Sequence, residues 1–232
     1  MGTGRLGVLL DQFDVTRERA QVRLTGLGDE EYLWEPVPGS WSIRRRKEAA
    51  TPRAYGPGDW VLDKGAPDIP ASEYAEVARQ VAAGMTVAKI ADDWSVSVQR
   101  VEEILADTAP PEPDRTAVTT IAWRLGHLHS GFAARWEWTF GTRRQDPAEL
   151  VDFTPVAALA LDRFWADVDR WRADVATVTD EQLDTVGFSQ YPSGSDPDDP
   201  FVDVVSNTNL ELIHHMAEVA LLRDLWQARR PS

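Results

Sequence analysis

Apolar residues recur at three- and four-residue steps along four long segments of the chain, which is the period of an amphipathic helix. The first segment carries Leu6, Leu9 and Phe13 at this spacing, and two glycines help to end it. No clear strand pattern lies between the segments. The sequence therefore predicts an all-α fold, a four-helix bundle. Its helices are predicted at residues 4–27, roughly 116–141, 155–176 and 203–228.

Capping and turn-forming residues indicate where these helices begin. Thr116 or Thr119 is suited to cap the second helix. Thr154 followed by Pro155 supplies a cap and a first turn for the third. Residues 29–67 are rich in Pro, Gly and Trp, and this composition predicts an ordered but irregular loop.

A shorter helical pattern at residues 72–106 interrupts the bundle, and its apolar positions are those of a small helix-turn-helix unit. We therefore predict a bundle formed by residues 1–65 and 114–232, with an inserted trihelical module at 66–113. The module has nine Asp and Glu against three Lys and Arg, a net charge of −6. Because a DNA-reading helix carries excess positive charge, the module is interpreted as a packing insertion. Its predicted core residues are Val77, Val81, Ile90, Ala91, Trp94, Val96, Val101 and Ile104.

The charge and the cysteine count exclude several classes of function. A net charge of −14 argues against nucleic acid and acidic membrane surfaces as partners, because both are bound through Lys and Arg. The absence of cysteine excludes a disulfide framework, a protein thiolate nucleophile and a sulfur-ligated metal site. The chain shows neither a signal peptide nor a long apolar run, so we expect a cytoplasmic protein.

Candidate metal ligands lie on the last predicted helix. Glu211 and His215 are four residues apart, so their side chains lie about 40° apart around the helix and one turn along it. A carboxylate oxygen and a neutral imidazole nitrogen at this spacing suit a divalent metal of hard or borderline character. His214 points about 100° away from its neighbour.

A further ligand is expected from the second helix, which carries His127 and His129. These two side chains lie about 200° apart around the helix, so only one of them can face the interior together with the last helix. The residue pattern does not choose between them. All four histidines of the chain nevertheless fall in the middle of two helices that a bundle would bring face to face.

Three phrases of the sequence resemble the DinB-like four-helix superfamily, especially its actinobacterial members. They are LLDQFDVTRERAQVRLTGLGDEEYLWEPVPGSWSIR in and after the first helix, TTIAWRLGHLHSGFAARWEWTFG in the second and NLELIHHMAEVALLRDLW in the last. The resemblance covers roughly residues 5–48 and 115–228. The insertion at about 66–113 lies outside it.

This resemblance implies a ligand set. Members hold a metal, usually zinc or nickel, with one His on the second helix and two ligands four residues apart on the last. The tryptophan-leucine phrase that precedes His127 identifies this residue as the second-helix ligand that the resemblance implies. Most members carry two histidines on the last helix, whereas Glu211 and His215 resemble the set of the mycothiol-dependent maleylpyruvate isomerases. His214 then matches a neighbouring non-ligand histidine, and His129 has no assigned role.

Three protein ligands that leave one coordination position open are typical of a catalytic site. The resemblance implies a transferase or isomerase that uses a low-molecular-weight thiol such as mycothiol, with a small-molecule substrate. Homodimers are common in the superfamily, so the resemblance allows one here. Two alternatives stay open: a non-catalytic binding or regulatory protein whose module contacts a partner, and a metal-dependent hydrolase.

Trp34, Trp41 and Arg44 are predicted to line a pocket above the metal. The two tryptophans either line it or anchor the loop on the bundle. Arg44 begins the only dense basic run, residues 44–47. This run either attracts an anionic substrate at the pocket mouth or forms a solvated loop.

Polar residues of the last helix have two interpretations each. Asn207, one turn before Glu211, either orients that carboxylate or caps the helix, and Asn209 also precedes the ligand pair. Glu218 and Arg223 are interpreted as helix-surface or interhelical pairing, which contributes little if it is exposed.

Overall fold

A computed structural model describes residues 4–49, 54–64, 69, 73–94, 96–106, 118–192 and 195–229. Within these ranges the chain forms eight α-helices and one two-stranded antiparallel sheet. The helices are α1 (Arg5–Leu24), α2 (Asp29–Tyr32), α3 (Tyr74–Ala82), α4 (Val87–Trp94), α5 (Val98–Ala106), α6 (Ile121–Thr139), α7 (Ala157–Val175) and α8 (Phe201–Ala228). The strands are β1 (Ser42–Arg45) and β2 (Trp60–Asp63).

The four long helices α1, α6, α7 and α8 form the bundle. Helix α6 packs against α7 and α8, and α1 packs against α8. Ion pairs between Arg17 and Asp169 and between Asp14 and Arg172 connect α1 to α7, which completes the ring of neighbours. The predicted all-α bundle is confirmed. None of the helices in the described ranges is long and apolar enough to cross a bilayer.

The apolar faces predicted from the helical period meet in one core. Its largest fully buried side chains are contributed by several helices, and they include Tyr32, Phe164, Trp171 and Phe201. Aromatic rings contact one another edge-on in this core, for example Phe140 with Trp171 at a centroid distance of 5.8 Å. Burial of these faces is the main stabilising contribution to the bundle.

The predicted irregular loop contains the small sheet, which the sequence pattern did not indicate. β1 pairs with β2 in antiparallel register, with Ser42 opposite Asp63, and both strands pack on α6. Beside them, Trp41 donates from its backbone N–H to the carbonyl of Val118 and accepts from the N–H of Thr120. The hairpin is thereby joined to the start of α6, the helix that carries His127.

Two predicted helix starts need correction. Thr120 caps α6, because its side chain accepts from the backbone N–H of Trp123. Thr119 instead pairs with the loop at Trp41, and Thr116 lies outside the described residues. Before α7, the predicted Thr154 hydroxyl does accept from the N–H of Val156 at 3.2 Å, but the helix begins at Ala157, whose N–H is capped by the carboxylate of Asp29 from α2 at 2.8 Å. A cap supplied by a distant segment has no local sequence signal.

The inserted segment has a core of its own. All eight apolar residues used to predict the module belong to one cluster, separate from that of the bundle. Thr86 and Ser97 directly precede α4 and α5 and cap them, because their hydroxyls accept from backbone N–H groups three residues later. The predicted boundaries near residues 65–66 and 113–114 touch segments outside the described residues, so this division of the chain stays a prediction.

Candidate metal centre

Three side chains from two helices converge between α6 and α8. Glu211 Oε2 lies 3.4 Å from His127 Nε2 and 3.2 Å from His215 Nε2. One ligand atom of each residue lies within 4.8 Å of the others. Ligands of a tetrahedral zinc ion, bound at about 2.0–2.2 Å, are separated by about 3.3–3.5 Å. In these three residues, the candidate triad, both separations from Glu211 therefore match those of ligands that share one ion.

The antiparallel packing of α6 and α8 creates this arrangement. On α8, Glu211 and His215 are one turn apart, and their side chains contact each other as the spacing predicted. His127 reaches them from the middle of α6, and its ring meets that of His215 edge-on at 4.9 Å. Of the two α6 histidines, the structure brings only His127 to this point.

One side of the candidate triad is open. The side chains of His127 and Glu211 keep 40% and 39% of their exposure, whereas that of His215 keeps 7%. The exposed side faces a cleft of about 170 Å³ between α6 and α8. An ion at the triad would have protein on one side and the cleft on the other. The cleft is lined by His127, Leu128, Gly131, Phe132, Arg135, Tyr191, Asn207, Thr208 and Glu211.

The far side of His215 is held by Glu218, a role that the sequence interpretation missed. The carboxylate of Glu218 accepts from Nδ1 of His215 at 2.6 Å. The same oxygen lies 2.9 Å from Nε of Arg124, which reaches it from α6 as an ion pair. This contact turns Nε2 of His215 toward Glu211. An imidazole that donates to a carboxylate on one nitrogen and coordinates through the other is a common ligand arrangement in metal sites.

His127 is oriented by ring stacking. The indole of Trp123 lies parallel to its imidazole, with a centroid distance of 5.1 Å and an interplanar angle of 6°. The indole of Trp41 packs against that of Trp123, with a centroid distance of 5.2 Å. The predicted pocket residue Trp41 thus supports the triad from behind Trp123.

The charges within the site favour ionised carboxylates. The hydrogen bond from His127, followed by that from His215, holds the pKa of Glu211 well below its usual range despite burial. Burial lowers the pKa of His127, which favours the neutral imidazole that a metal needs. Burial also acts to lower the pKa of His215, but its hydrogen bonds to Glu211 and Glu218 outweigh this effect and raise it.

Removing the support of His215 should weaken metal binding. We expect Glu218→Ala to reduce zinc affinity about 10–100-fold, because the imidazole loses the partner that fixes its orientation. Glu218→Gln keeps an acceptor oxygen and should lose less. Zinc affinity can be measured by competition with a chromophoric chelator. Asp224→Ala removes an exposed acid from the same helix and serves as the control. Equal affinities for Glu218→Ala and this control would contradict the assigned role.

The other two histidines lie outside the candidate triad. His129 points toward α7, where its Nδ1 lies 2.8 Å from a carboxylate oxygen of Asp167, and both side chains are largely buried. His214 stacks on His215 at 5.0 Å, but its side chain is 63% exposed. Neither has a ligand atom in the group that could hold an ion.

Trp34 and Arg44, like Trp41, are not among the residues that line the cleft. Trp34 packs on Trp226 at 5.6 Å, at the far end of α8. Arg44 pairs with Glu35 at 2.6 Å and with the fully buried Asp63 at 3.1 Å. Both side chains anchor the loop and hairpin on the bundle.

The rest of the basic run, Arg45, Arg46 and Lys47, is exposed, as the solvated-loop alternative expected. Arg45 stacks on the indole of Trp60, and Arg46 donates to backbone carbonyls of the hairpin loop. Because α8 begins at Phe201, Asn207 and Asn209 are interior residues and the capping interpretation is wrong. Asn209 donates to α1, whereas Asn207 lines the cleft.

The fold and the site together define a class of four-helix protein with a two-histidine, one-glutamate centre between antiparallel helices. A family model described as the DinB superfamily matches residues 94–219, more than half of the chain. The chain belongs to the DinB superfamily. The matched segment includes all of α6 and α7 and most of α8, with the whole candidate triad. No curated protein and no solved structure gives a significant match.

Proposed function

We propose that the protein is a metal-dependent enzyme whose divalent ion, zinc or nickel, is held by His127, Glu211 and His215. The observation that carries this proposal is the convergence of two imidazole nitrogens on one carboxylate oxygen at 3.4 and 3.2 Å. The nitrogen and oxygen donors suit such ions. The donor set includes no thiolate, because the chain has no cysteine.

The residues present fit a catalytic rather than a structural ion. A structural zinc site is closed by four protein ligands, whereas these three side chains leave one direction free toward the cleft. A bound ion would act as a Lewis acid that lowers the pKa of a thiol or water at this open position. Glu218 and Trp123 would keep the two imidazoles in place.

The reaction class we propose is transfer or isomerisation with a low-molecular-weight thiol, for which mycothiol is the candidate. A thiol nucleophile must come from a small molecule in a chain without cysteine. The cleft beside the triad provides the space for one, and its apolar wall from Leu128 and Phe132 can exclude water from the sulfur. The residue types of the candidate triad resemble the ligand set of the mycothiol-dependent maleylpyruvate isomerases, and this resemblance supports the same reaction class.

The proposal is tested by metal analysis of the purified protein, followed by melting temperatures with zinc, nickel and thiols. We expect one ion per chain and a higher melting temperature when metal is added. Mycothiol should raise the melting temperature further when metal is present. It should not change the melting temperature of a His215→Ala variant. A protein whose stability is unchanged by every metal and every thiol would not be such an enzyme.

A further inference from the structure

The cleft follows one face of α6 for two turns beyond the candidate triad. His127, Gly131 and Arg135 succeed one another at four-residue steps, so they lie along nearly the same line of the helix. At 1.5 Å per residue, the first and the last are about 12 Å apart along the axis. On the facing helix the cleft runs from Glu211 back to Asn207. The cleft is therefore elongated, with the triad at one end and a guanidinium at the other.

Gly131 in the middle of this line has no packing explanation. Glycine is among the least favourable residues for a helix interior, so its presence there calls for a reason. A Cβ atom built at Gly131 meets nothing within 4 Å. The other glycine of the same helix, Gly126, differs: a Cβ there would lie 2.8 Å from Leu62 and 3.2 Å from Phe153. Gly126 is required by close packing, whereas Gly131 is exposed and borders the open space of the cleft.

The far end of the cleft presents a fixed guanidinium whose charge is already balanced. Arg135 donates through Nε and Nη2 to the two carboxylate oxygens of Asp196, each at 3.0 Å. Asp196 is itself 4% exposed and accepts from Ser189 at 2.9 Å. Nη1 of Arg135 lies 3.3 Å from the hydroxyl of Thr208, a residue that lines the cleft. A guanidinium held on both sides in this way offers a positioned donor edge rather than a free positive charge.

The middle of the cleft is largely apolar. The buried side chains of Leu128 and Phe132 flank Gly131 on α6. Tyr191 closes the far end, with its ring 5.4 Å from the guanidinium carbon of Arg135. A ligand that extended from the triad would thus meet an apolar surface first and hydrogen-bond donors afterwards.

From these contacts we infer that Gly131 is a specificity-determining residue for an elongated ligand. This ligand has a metal-binding head at the triad, an apolar body across Gly131, and an uncharged hydrogen-bond acceptor at Arg135. Only the metal-binding head of this ligand rests on the proposed function. The acceptor is uncharged because Asp196 already neutralises Arg135, and a carboxylate would bring a second negative charge beside it.

Three thiols of known structure test this inference on the zinc-loaded protein. 2-Mercaptoethanol is too short to pass Gly131, whereas 4-mercaptobenzamide carries an aromatic body and a neutral acceptor. 4-Mercaptobenzoate has the same shape with an anionic end. Binding constants are measured for the native protein and for Gly131→Leu and Gly131→Ala, whose zinc contents are determined first. Thermal unfolding of each variant gives a readout that does not depend on catalysis.

We expect Gly131→Leu to keep zinc, to bind 2-mercaptoethanol within about twofold of the native protein, and to bind 4-mercaptobenzamide at least about tenfold more weakly. Gly131→Ala should unfold at a higher temperature, because alanine is the better helix former. Gly131→Ala should also bind 4-mercaptobenzamide more weakly than the native protein does, but the loss should be smaller than in Gly131→Leu. The native protein should prefer the amide to the benzoate.

Two outcomes would overturn the inference while leaving the proposed function intact. One is that Gly131→Leu binds zinc and all three thiols as the native protein does. The other is that the benzoate binds more tightly than the amide. A native protein that binds neither zinc nor 2-mercaptoethanol would overturn the proposed function itself, and the inference with it.

Discussion

Alanine at His127, Glu211 or His215 is expected to weaken zinc binding by more than about 100-fold. Loss of a residue that only orients a ligand costs about 10–100-fold, and loss of a ligand should exceed that range. The three variants should resemble one another, because each leaves two protein ligands for one ion. Zinc affinity is measured by competition with a chromophoric chelator.

The chain supplies its own controls for these variants. His129→Ala and His214→Ala remove the two histidines that have no ligand atom in the triad, and both should keep native zinc affinity. His129→Ala should instead lose stability, because it removes the contact with Asp167 between α6 and α7. Native zinc affinity in His127→Ala, or its loss in His214→Ala, would assign the site to other residues.

Arg223→Ala is expected to destabilise the fold by about 3–5 kcal/mol, the usual cost of breaking a buried ion pair from one side. Arg223 and Glu31 have 9% and 8% exposed side chains and are joined at 2.8 and 3.1 Å. The guanidinium also donates to the backbone carbonyls of Arg23 and Thr25 at the end of α1. Alanine would leave the Glu31 carboxylate buried without its partner. The free energy of unfolding is obtained from urea titrations.

A double substitution and an exposed pair distinguish this effect from general damage. Glu31→Met with Arg223→Met removes both charges, so it should recover part of the stability that Arg223→Ala loses. Arg5→Ala breaks the exposed pair with Asp184 and should change the free energy of unfolding little. A loss in Arg223→Ala no larger than that in Arg5→Ala would show that the Glu31 pair is not important for stability.

The long helices and the short helices of the module were predictable because their apolar period is regular, but the hairpin and some of the helix caps were not. The strand sequences SIRR and WVLD are four residues each, too short for an alternation to be recognised. The cap on α7 comes from Asp29, whose proximity arises only when the chain has folded. The sequence left open whether Arg223 pairs on the helix surface or between helices, because it does not show that α2 covers this residue.

The site was predictable in part for a similar reason. The Glu211 and His215 pair follows from helical spacing alone, because both residues lie on one helix. The choice of His127 over His129 depends on which face of α6 meets α8, and it came from the family resemblance. Glu218 stands three residues after His215, which is a signal for contact, but Arg124 comes from another helix. The sequence could not show that Arg124 reaches Glu218 across the two helices.

X-ray absorption spectroscopy of the zinc-loaded protein tests most directly whether His127, Glu211 and His215 share one ion. We predict one zinc per chain, with two imidazole nitrogens at about 2.0–2.1 Å, a carboxylate oxygen at about 2.0–2.2 Å and one further light-atom ligand. His215→Ala should remove this signal. A spectrum that shows only oxygen ligands, or an unchanged spectrum in His215→Ala, would contradict the assignment of the metal centre.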